Sequence, residues 1–292
     1  MSDTRIHALP VTWDRILGPE TTLLATERLE CGNVLFMQDL AFSVEREEAG
    51  LFSPAILSSS KNASYDAASG RVGGTTLEGS DLDRLGQLMG RFSRAAAGLV
   101  GRLLPRYAGR IKVARASFRP AEIAGRQTSW RQDDTRLHID SFPASPVHGE
   151  RILRLFTNVN PSGRPRTWRV GGEFDAVAGR YVDRLSMPWP GEGRLLQTLR
   201  ITKSRRSAYD ALMLQLHDRM KQDAEFQERS EQETVEFPFG SSWIAFTDQV
   251  SHAATAGQYQ LEQTFLLPVS AMIDERRSPL RVLERLTGRR LV

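Results

Sequence analysis

The sequence of 292 residues contains a single cysteine, Cys31, and no apolar run long enough to cross a membrane. One cysteine excludes an intramolecular disulfide and any zinc or iron–sulfur site built from several thiolates. We therefore expect the protein to be located in a reducing cytoplasm. The first ten residues are polar and lack the apolar core of a secretory signal. No Gly-x-Ser-x-Gly sequence occurs, which leaves a serine hydrolase of the nucleophile-elbow type without support.

Lysine is also scarce, since four lysines stand against 35 arginines, and the formal net charge is +4. Arginine binds carboxylates and phosphates through two parallel hydrogen bonds, so this composition suits an anionic substrate or surface. The arginines are scattered and no nucleic-acid-binding motif accompanies them, so we expect no nucleic-acid partner. A hydrophobic content of 40% and a charged content of 25% are typical of a globular protein with a sizeable core.

Hydrophobic periodicity predicts few helices and many short strands. One helix is expected from Ser80 to just before Pro105, a second over about 205–220, and a short basic helix over about 278–292. The N-terminal extension, about 1–75, is predicted to be irregular with a few strands. Strands are predicted at 112–118, 151–160, 167–170, 235–239, 243–246 and 259–267. Without an alternating βα rhythm, this pattern favours a single mainly β domain (α+β) over 1–292, with helices outside a barrel or two sheets.

The five histidines contain the clearest chemical signal. Two of them form His-x-acid dyads, His138-Ile139-Asp140 and His148-Gly149-Glu150, and residues two apart in an extended strand project from one face. Together with the later His252, the first dyad would form a set of two histidines and one carboxylate that binds iron(II) and leaves positions open for a co-substrate and dioxygen. We favour the first dyad because prolines and a glycine surround the second. The remaining histidines, His7 and His217, are expected to be structural or solvent-facing.

A 2-oxoglutarate co-substrate would need a cation for its distal carboxylate, and the run Ala253–Glu275 contains no arginine or lysine. The turn GRPRTW at 163–168 resembles the Gly-x-Pro-Lys-x-Trp turn of Jumonji-type oxygenases, in which the basic residue holds 2-oxoglutarate. This resemblance assigns the clamp to Arg166 and an assisting role to Asn158. An alignment error within the turn would move the clamp to Arg164 or Arg169.

Longer stretches resemble one particular family, the 3-deoxy-D-manno-octulosonic acid (Kdo) hydroxylases. They are LHIDSFP at 137–143, HGERILR at 148–154, NVNP at 158–161, PRTWRVG at 165–171 and DQVSHA at 248–253. The resemblance implies a double-stranded β-helix (jelly-roll, cupin-like) core, with Fe(II), 2-oxoglutarate and O2 used to hydroxylate C3 of a Kdo sugar of lipopolysaccharide. Kdo becomes Ko, and succinate and CO2 are released. The iron ligands implied are His138, Asp140 and His252.

The substrate implied by this resemblance is a Kdo-containing lipid A precursor, whose carboxylate and phosphates suit an arginine-rich surrounding. We expect the substrate-binding residues near the first dyad to be Arg119, Arg126, Arg151 and His148. The basic C-terminal helix is expected either to pack with a solvated basic face or to rest on the inner membrane of a Gram-negative bacterium. The protein would then be cytoplasmic, or peripheral on the inner face of that membrane.

Three alternatives stay open at this stage. An oxygenase of the same fold could act on a protein side chain or on a small sugar acid. A metal-free β-sandwich could bind an anionic glycolipid without catalysis, and substitution of His138 and His252 would then leave binding intact. A hydrolytic zinc cupin is the third alternative.

Overall fold

The computed structural model describes residues 4–14, 16–58 and 61–292. Its strands alternate with turns over most of the chain and carry the β-branched and aromatic runs noted above. They are β1 (Ile6–Ala8), β2 (Val34–Met37), β3 (Ala63–Asp66), β4 (Val72–Gly73), β5 (Lys112–Arg119), β6 (Arg151–Asn158), β7 (Arg166–Gly171), β8 (Gln232–Phe237), β9 (Ser242–Phe246), β10 (His252–Ala256) and β11 (Gln260–Leu267).

The helices lie between these strands and at the C-terminal end. They are α1 (Pro19–Glu30), α2 (Gly79–Leu103), α3 (Phe174–Tyr181), α4 (Glu192–Thr198), α5 (Ala208–Gln222), α6 (Ala224–Arg229) and α7 (Pro279–Thr287). Short 3-10 turns occupy Arg46–Leu51, Pro54–Ile56, Pro105–Tyr107, Trp130–Gln132, Val182–Arg184, Val269–Ala271 and Glu275–Arg277. The predictions of α2, α5 and α7 are confirmed, as are the predicted strands at β5, β6, β7, β8, β9 and β11.

Two sheets form the centre of the fold. The larger has the order β1-β2-β9-β6-β11-β5-β3-β4, and the smaller has the order β10-β7-β8. Every pairing is antiparallel except that of β1 with β2. An isolated antiparallel bridge between His138 and His252 adds the segment around residue 138 to the edge of the smaller sheet. The expected mainly β architecture, a double-stranded β-helix with flanking helices, is confirmed.

The first 75 residues are integrated into this architecture. β1 to β4 all belong to the larger sheet, so this region supplies both of its edges. The expectation of irregular structure here is wrong for residues 19–30, which form α1. α1 begins with a proline at its first position, which costs no hydrogen bond there, and it buries Ala25 and Leu29 on one side.

The larger sheet separates two hydrophobic cores. On its outer face, α2 packs Leu85, Leu88 and Phe92 into the main core, because these residues recur at helical spacing on one side of that helix. On its inner face, a smaller aromatic core joins the two sheets. This inner core contains Phe156, Trp168, Phe237 and Trp243, and the rings of Phe237 and Trp243 stack with centroids 4.0 Å apart.

The C-terminal helix α7 is held against the body of the protein. Leu280, Val282 and Leu283 are buried, and Ser278 caps the helix by accepting a hydrogen bond from the Arg281 amide. Of the two expectations for this helix, packing with a solvated basic face therefore agrees with the structure. Within residues 4–14, 16–58 and 61–292, no helix combines the length and the apolar character needed to span a bilayer.

Candidate metal and co-substrate site

Two histidines that lie far apart in the sequence face each other directly across the edge of the smaller sheet. The His138 amide donates to the His252 carbonyl at 3.0 Å, and the His252 amide donates to the His138 carbonyl at 2.8 Å. Their ring centroids are 4.7 Å apart. The Asp140 amide donates to the Thr247 carbonyl at 2.8 Å, which anchors the carboxylate beside them. One side-chain ligand atom from each of these three residues lies within 4.8 Å of the others.

The backbone around each histidine selects the ring nitrogen that is free to bind a metal. Nδ1 of His138 lies 2.7 Å from the carbonyl oxygen of Arg136, and Nδ1 of His252 lies 2.9 Å from that of Val250. A carbonyl only accepts, so each Nδ1 carries the proton and each Nε2 keeps its lone pair. Such outer hydrogen bonds orient histidine ligands in metal sites.

The electrostatic surroundings keep all three side chains in their metal-binding protonation states. Burial lowers the pKa of His138 well below its usual range, and the neighbouring His252 lowers it further. Burial likewise lowers the pKa of His252. Burial alone would raise the pKa of Asp140, but the neighbouring Arg154 guanidinium opposes it, and that pKa lies well below its usual range. The set is therefore two neutral imidazoles and one carboxylate.

These residues fit a divalent metal ion. The Oδ2 atom of Asp140 is buried and has no hydrogen-bond partner, and its nearest cation is Nε of Arg154 at 3.3 Å. A buried carboxylate oxygen without a hydrogen bond is costly unless another group satisfies it. Two imidazole nitrogens and one carboxylate oxygen, with open positions beside them, match the donor set of non-haem iron(II) sites.

A cavity of about 210 Å³ adjoins the triad between the two sheets. Its charged lining consists of three arginines and three carboxylates, and the remaining lining includes Phe142, Phe156 and Trp168. The charged residues are Arg119, Arg154, Arg166, Asp134, Asp140 and Glu262. Because these six charges balance, the cavity suits a divalent cation together with a dianion, whose charges also cancel.

Arg166 is the unusual member of this lining. It is 2% exposed, its Nη1 donates to the Gly257 carbonyl at 2.6 Å, and its Nε has no hydrogen-bond partner. Among the described residues, no carboxylate forms an ion pair with it. Burial lowers its pKa to about 9, and the neighbouring Arg119 adds to that effect. Asp134 and Glu262 line the same cavity, but neither contacts this guanidinium directly, so the site fits an anionic ligand such as the carboxylate of 2-oxoglutarate.

Strand alternation distinguishes Arg166 from the two neighbouring arginines considered for the same role. Arg164 precedes β7, is largely exposed and lies 3.8 Å from Glu122. Arg169 lies on the opposite face of β7 and donates to the Thr135 carbonyl at 2.7 Å. Of the three arginines, Arg166 alone lines the cavity.

Three residues that were predicted at the site do not line this cavity. Their polar atoms contact other groups of the protein. Asn158 donates to the carbonyls of Arg164 and Phe237, and its Oδ1 accepts from the Asn160 amide. Arg151 is fully buried in an ion pair with Asp248, and its Nε–Oδ2 distance is 2.8 Å. His148 adopts a left-handed backbone with φ 52°, and its Nε2 lies 2.7 Å from the Arg205 carbonyl. Their expected contacts with 2-oxoglutarate and with the substrate stay predictions.

Asn158 nevertheless has a local function in the fold. Its side chain holds the turn that leads into β7, and Arg166 is the first residue of that strand. Asn158 is thereby tied to the turn that precedes the strand of Arg166.

The two other expected substrate residues lie at or beside the cavity. Arg119 lines it and donates to both carboxylate oxygens of Glu262, at 2.9 and 3.2 Å. Arg126 pairs with Asp134 at 2.8 Å and remains partly exposed. Both guanidiniums already have carboxylate partners, in contrast to Arg166.

Sequence reasoning missed several residues around the triad. Asp134 and Glu262 provide the balancing carboxylates, and the Trp168 ring stacks on His252 with centroids 5.0 Å apart. His217 contacts the edge of His138, with ring centroids 5.4 Å apart, although it was expected to be structural or solvent-facing. Glu262 could have been found, because a lone acid in the apolar strand β11 is an unusual residue to bury. No signal in the sequence would have placed His217 there.

Comparisons with known proteins agree with this chemistry. A family model described as 3-deoxy-D-manno-oct-2-ulosonic acid (Kdo) hydroxylase matches residues 12–290. A crystal structure of the Kdo hydroxylase KdoO in complex with cobalt(II) is 45% identical and has a TM-score of 0.97, and the match covers 99% of this chain and 98% of that one. Among curated protein sequences, no relative matches this chain.

Two further KdoO structures contain ligands of the kind considered above. One, in complex with α-ketoglutarate (2-oxoglutarate) and Fe(III), is 44% identical with a TM-score of 0.95, and the match covers 98% of this chain and 97% of that one. Another, in complex with succinate and Fe(III), is 44% identical with a TM-score of 0.96, and the match covers 99% and 98%. By the family match over nearly its whole length, the chain belongs to the Kdo hydroxylases, which are non-haem Fe(II), 2-oxoglutarate-dependent dioxygenases.

Proposed function

We propose that this protein hydroxylates C3 of a Kdo sugar, with His138, Asp140 and His252 as iron ligands and Arg166 as the clamp for 2-oxoglutarate. The observation that carries the proposal is the buried Arg166, which has no carboxylate partner among the described residues and lies in the same cavity as the triad. A metal site alone fits many reactions, whereas a metal site beside an unpaired buried cation fits a metal-dependent enzyme with an anionic co-substrate.

Bound iron(II) would supply the activation of dioxygen, with one oxygen atom entering the new hydroxyl group and the other entering succinate. The residues of this chain bind, orient and exclude water. Nε2 of His138, Nε2 of His252 and a carboxylate oxygen of Asp140 would hold the ion on one side. The Arg166 guanidinium would orient the dicarboxylate, and Phe142, Phe156 and Trp168 would exclude water from the reacting atoms.

We propose further that the sugar is part of a lipid A precursor and that the protein works at the inner face of the inner membrane. The support for the anionic sugar is chemical, because Arg126, although paired with Asp134, remains partly exposed beside the cavity, where a Kdo carboxylate could also contact it. Arg119 is the second proposed contact. Residues 1–292 would form one catalytic unit, since the strands of the first 75 residues complete the same sheet that carries the cavity.

Anaerobic titration with iron(II) and 2-oxoglutarate tests the assignment of the site, because the ternary complex of such enzymes has a visible charge-transfer band. We expect the band in the wild type, its loss in His138→Ala, and at least a tenfold weaker 2-oxoglutarate affinity in Arg166→Met. The second dyad offers a matched control. His148→Asn, which suits the left-handed backbone, should leave the band unchanged.

Turnover then tests the substrate. Kdo-lipid A should stimulate 2-oxoglutarate consumption, and mass spectrometry should find one added oxygen atom in the Kdo residue. If the wild type binds no iron, the metal assignment is wrong, and the result favours the metal-free protein that binds an anionic glycolipid. Iron binding with a band, but without stimulation by any Kdo compound, would leave the metal site intact and refute the substrate.

A further inference from the structure

One surface segment, residues 187–206, exposes an unusual number of large apolar side chains. It includes α4, in which no residue is buried. Its five large exposed apolar residues are between 37% and 59% accessible, namely Met187, Trp189, Leu195, Leu199 and Ile201. Single exposed apolar residues are normal on a protein surface, but a local cluster of this kind marks an interaction site.

The same segment is strongly basic. It carries five basic side chains and one acidic side chain, a net charge of +4 that equals the formal net charge of the whole chain. Among the described residues, no carboxylate forms an ion pair with any of the five: Arg194, Arg200, Lys203, Arg205 and Arg206. Most other surface arginines near the end of the chain do have such partners. Arg281, for example, contacts Glu275 and Glu284.

A groove of about 670 Å³ lies between this segment and the C-terminal residues. Trp189 and Leu291 provide apolar surface, and Arg205, Arg206 and Arg290 provide positive charge. No aspartate or glutamate occurs among the described residues that line it. This combination complements a phosphate headgroup beside an acyl chain.

The segment is tied to the wall of the candidate active site. The Lys203 amide donates to the Ala144 carbonyl at 2.9 Å, and a guanidinium nitrogen of Arg206 donates to the Pro143 carbonyl at 2.7 Å. Both acceptors directly follow Phe142, which lines the cavity beside Asp140. A partner surface that binds residues 187–206 would therefore also lie close to the cavity.

The basic helix α7 does not offer the same properties. Its apolar residues Leu280, Val282 and Leu283 are buried, and Arg285 contacts Asp175. The segment 187–206 combines exposed apolar side chains with unpaired basic ones, as interfacial membrane elements do.

We propose that residues 187–206 dock this protein on an anionic lipid bilayer. Leu195, Leu199 and Ile201 would enter the boundary between headgroups and acyl chains, and the unpaired basic residues would contact lipid phosphates. The further statement, that docking brings a membrane-held Kdo sugar to the cavity, rests on the proposed function. Docking itself does not depend on it.

Vesicle flotation of the full chain tests the docking. We expect the wild type to float with vesicles of phosphatidylethanolamine and phosphatidylglycerol, and to stay in solution with pure phosphatidylcholine. Replacing Arg194, Arg200 and Lys203 by glutamine should weaken partitioning about a hundredfold, at roughly fivefold per basic side chain. Replacing Leu195, Leu199 and Ile201 by serine should abolish flotation. None of these six residues lines the cavity, so folding and iron binding should be unchanged.

A matched control uses exposed apolar residues elsewhere. Leu23→Ser with Phe239→Ser removes side chains that are each 53% exposed, and it should float like the wild type. The proposal is overturned if the wild type does not float with anionic vesicles, if it floats equally with phosphatidylcholine, or if the glutamine variant partitions normally. It is also overturned if ultracentrifugation without lipid shows that Leu195, Leu199 and Ile201 instead hold two copies of the chain together.

The flotation assay needs neither metal nor turnover, so its failure is distinguishable from failure of the proposed function. A second measurement links the two. The serine variant should lose activity on Kdo-lipid A in anionic vesicles at least tenfold, yet keep wild-type activity on a deacylated, soluble Kdo glycan. Equal losses on both substrates would refute the membrane function of the segment.

Discussion

Arg151 and Arg166 are both buried arginines at the first residue of a strand, but their surroundings differ completely. Arg151 is fully buried and donates to Asp248 at 2.8 Å and to Gln249 at 2.7 Å, and its guanidinium lies 3.9 Å from the centroid of the Phe246 ring. Arg166 has one hydrogen bond, to the Gly257 carbonyl, and no ion pair with a described carboxylate. Arg151 therefore has charged and polar partners within the protein, whereas no carboxylate of the described residues contacts Arg166 directly.

A buried charge can be assigned to folding or to binding from the groups that contact it. A buried ion pair that loses one partner is strongly destabilised, because the other charge is left alone. Where a buried cation already lacks a partner, its removal should instead stabilise the folded protein. The extent of burial is similar for the two arginines, so the presence or absence of a partner of opposite charge distinguishes them.

The largest expected effect is on folding, in Arg151→Met. Removal of the guanidinium leaves the Asp248 carboxylate buried and unpaired, so the free energy of unfolding should fall by about 3–5 kcal/mol. Denaturant titration measures this loss. The double variant Arg151→Met with Asp248→Asn should recover most of the lost free energy of unfolding. A loss below about 1 kcal/mol in the single variant would contradict the assignment of Arg151 to folding.

Arg166→Met should have the opposite effect on the protein without ligands. Removal of an unpaired buried charge should raise the free energy of unfolding by about 1–4 kcal/mol, less the lost bond to Gly257. The thermal shift that 2-oxoglutarate produces in the wild type should disappear in the same variant. A destabilised Arg166→Met protein would mean that Arg166, like Arg151, serves folding.

Lys221 on α5 is a third buried cation, and unlike the two arginines it can lose its proton near neutral pH. Its Nζ donates to the Arg131 carbonyl at 2.9 Å, and burial lowers its pKa from the ordinary 10.5 to about 8. Between these values the unfolded chain binds more protons than the native one, so stability should rise with pH, by about 2 kcal/mol. Denaturation of wild type and Lys221→Met from about pH 7 to about pH 10 measures the difference. A Lys221→Met protein with the same pH slope would contradict the assignment.

The smallest expected effect is in Gly257→Ala, which acts on Arg166 indirectly. Gly257 has φ 101°, and a Cβ there would lie 2.7 Å from the Pro165 carbonyl oxygen and 3.0 Å from the Arg166 Cα. The added methyl group should displace Arg166, and this displacement should weaken 2-oxoglutarate binding about tenfold, as measured by calorimetry. Gly163→Ala is the matched control, since Gly163 also has a positive φ, 71°, but nothing lies within 4 Å of its Cβ position. Equal effects of the two variants would point to backbone strain alone.

The two His-x-acid dyads show how far a sequence pattern can be taken. His138 and Asp140 lie on an extended segment that pairs with His252, whereas His148 lies in a left-handed turn and Glu150 pairs with Lys112 at 2.7 Å. The flanking prolines and glycine predicted this difference. Arg119 and Arg151 carried no comparable signal, because the carboxylates that they contact, Glu262 and Asp248, lie far away in the sequence.

Secondary structure was predicted where the pattern was long or strong. α2 shows apolar residues on one face over 25 residues, and β6 and β11 are rich in apolar side chains. β10 was missed because its sequence, HAATA, contains small residues with little strand preference, and pairing with β7 makes it a strand. α4 was missed because it is short and has no buried face that would create a period.

The mainly β class and the family could be predicted from the sequence alone, because periodicity, turn residues and motifs are local properties of the chain. Which buried charges have partners depends on the folded chain. The folded structure separated Arg166 from Arg151, tied the Asn158 side chain to the turn before β7, and placed Asp134 and Glu262 in the cavity. The physical reason is that a charge is satisfied through space, by groups that strand pairing brings together from distant parts of the chain.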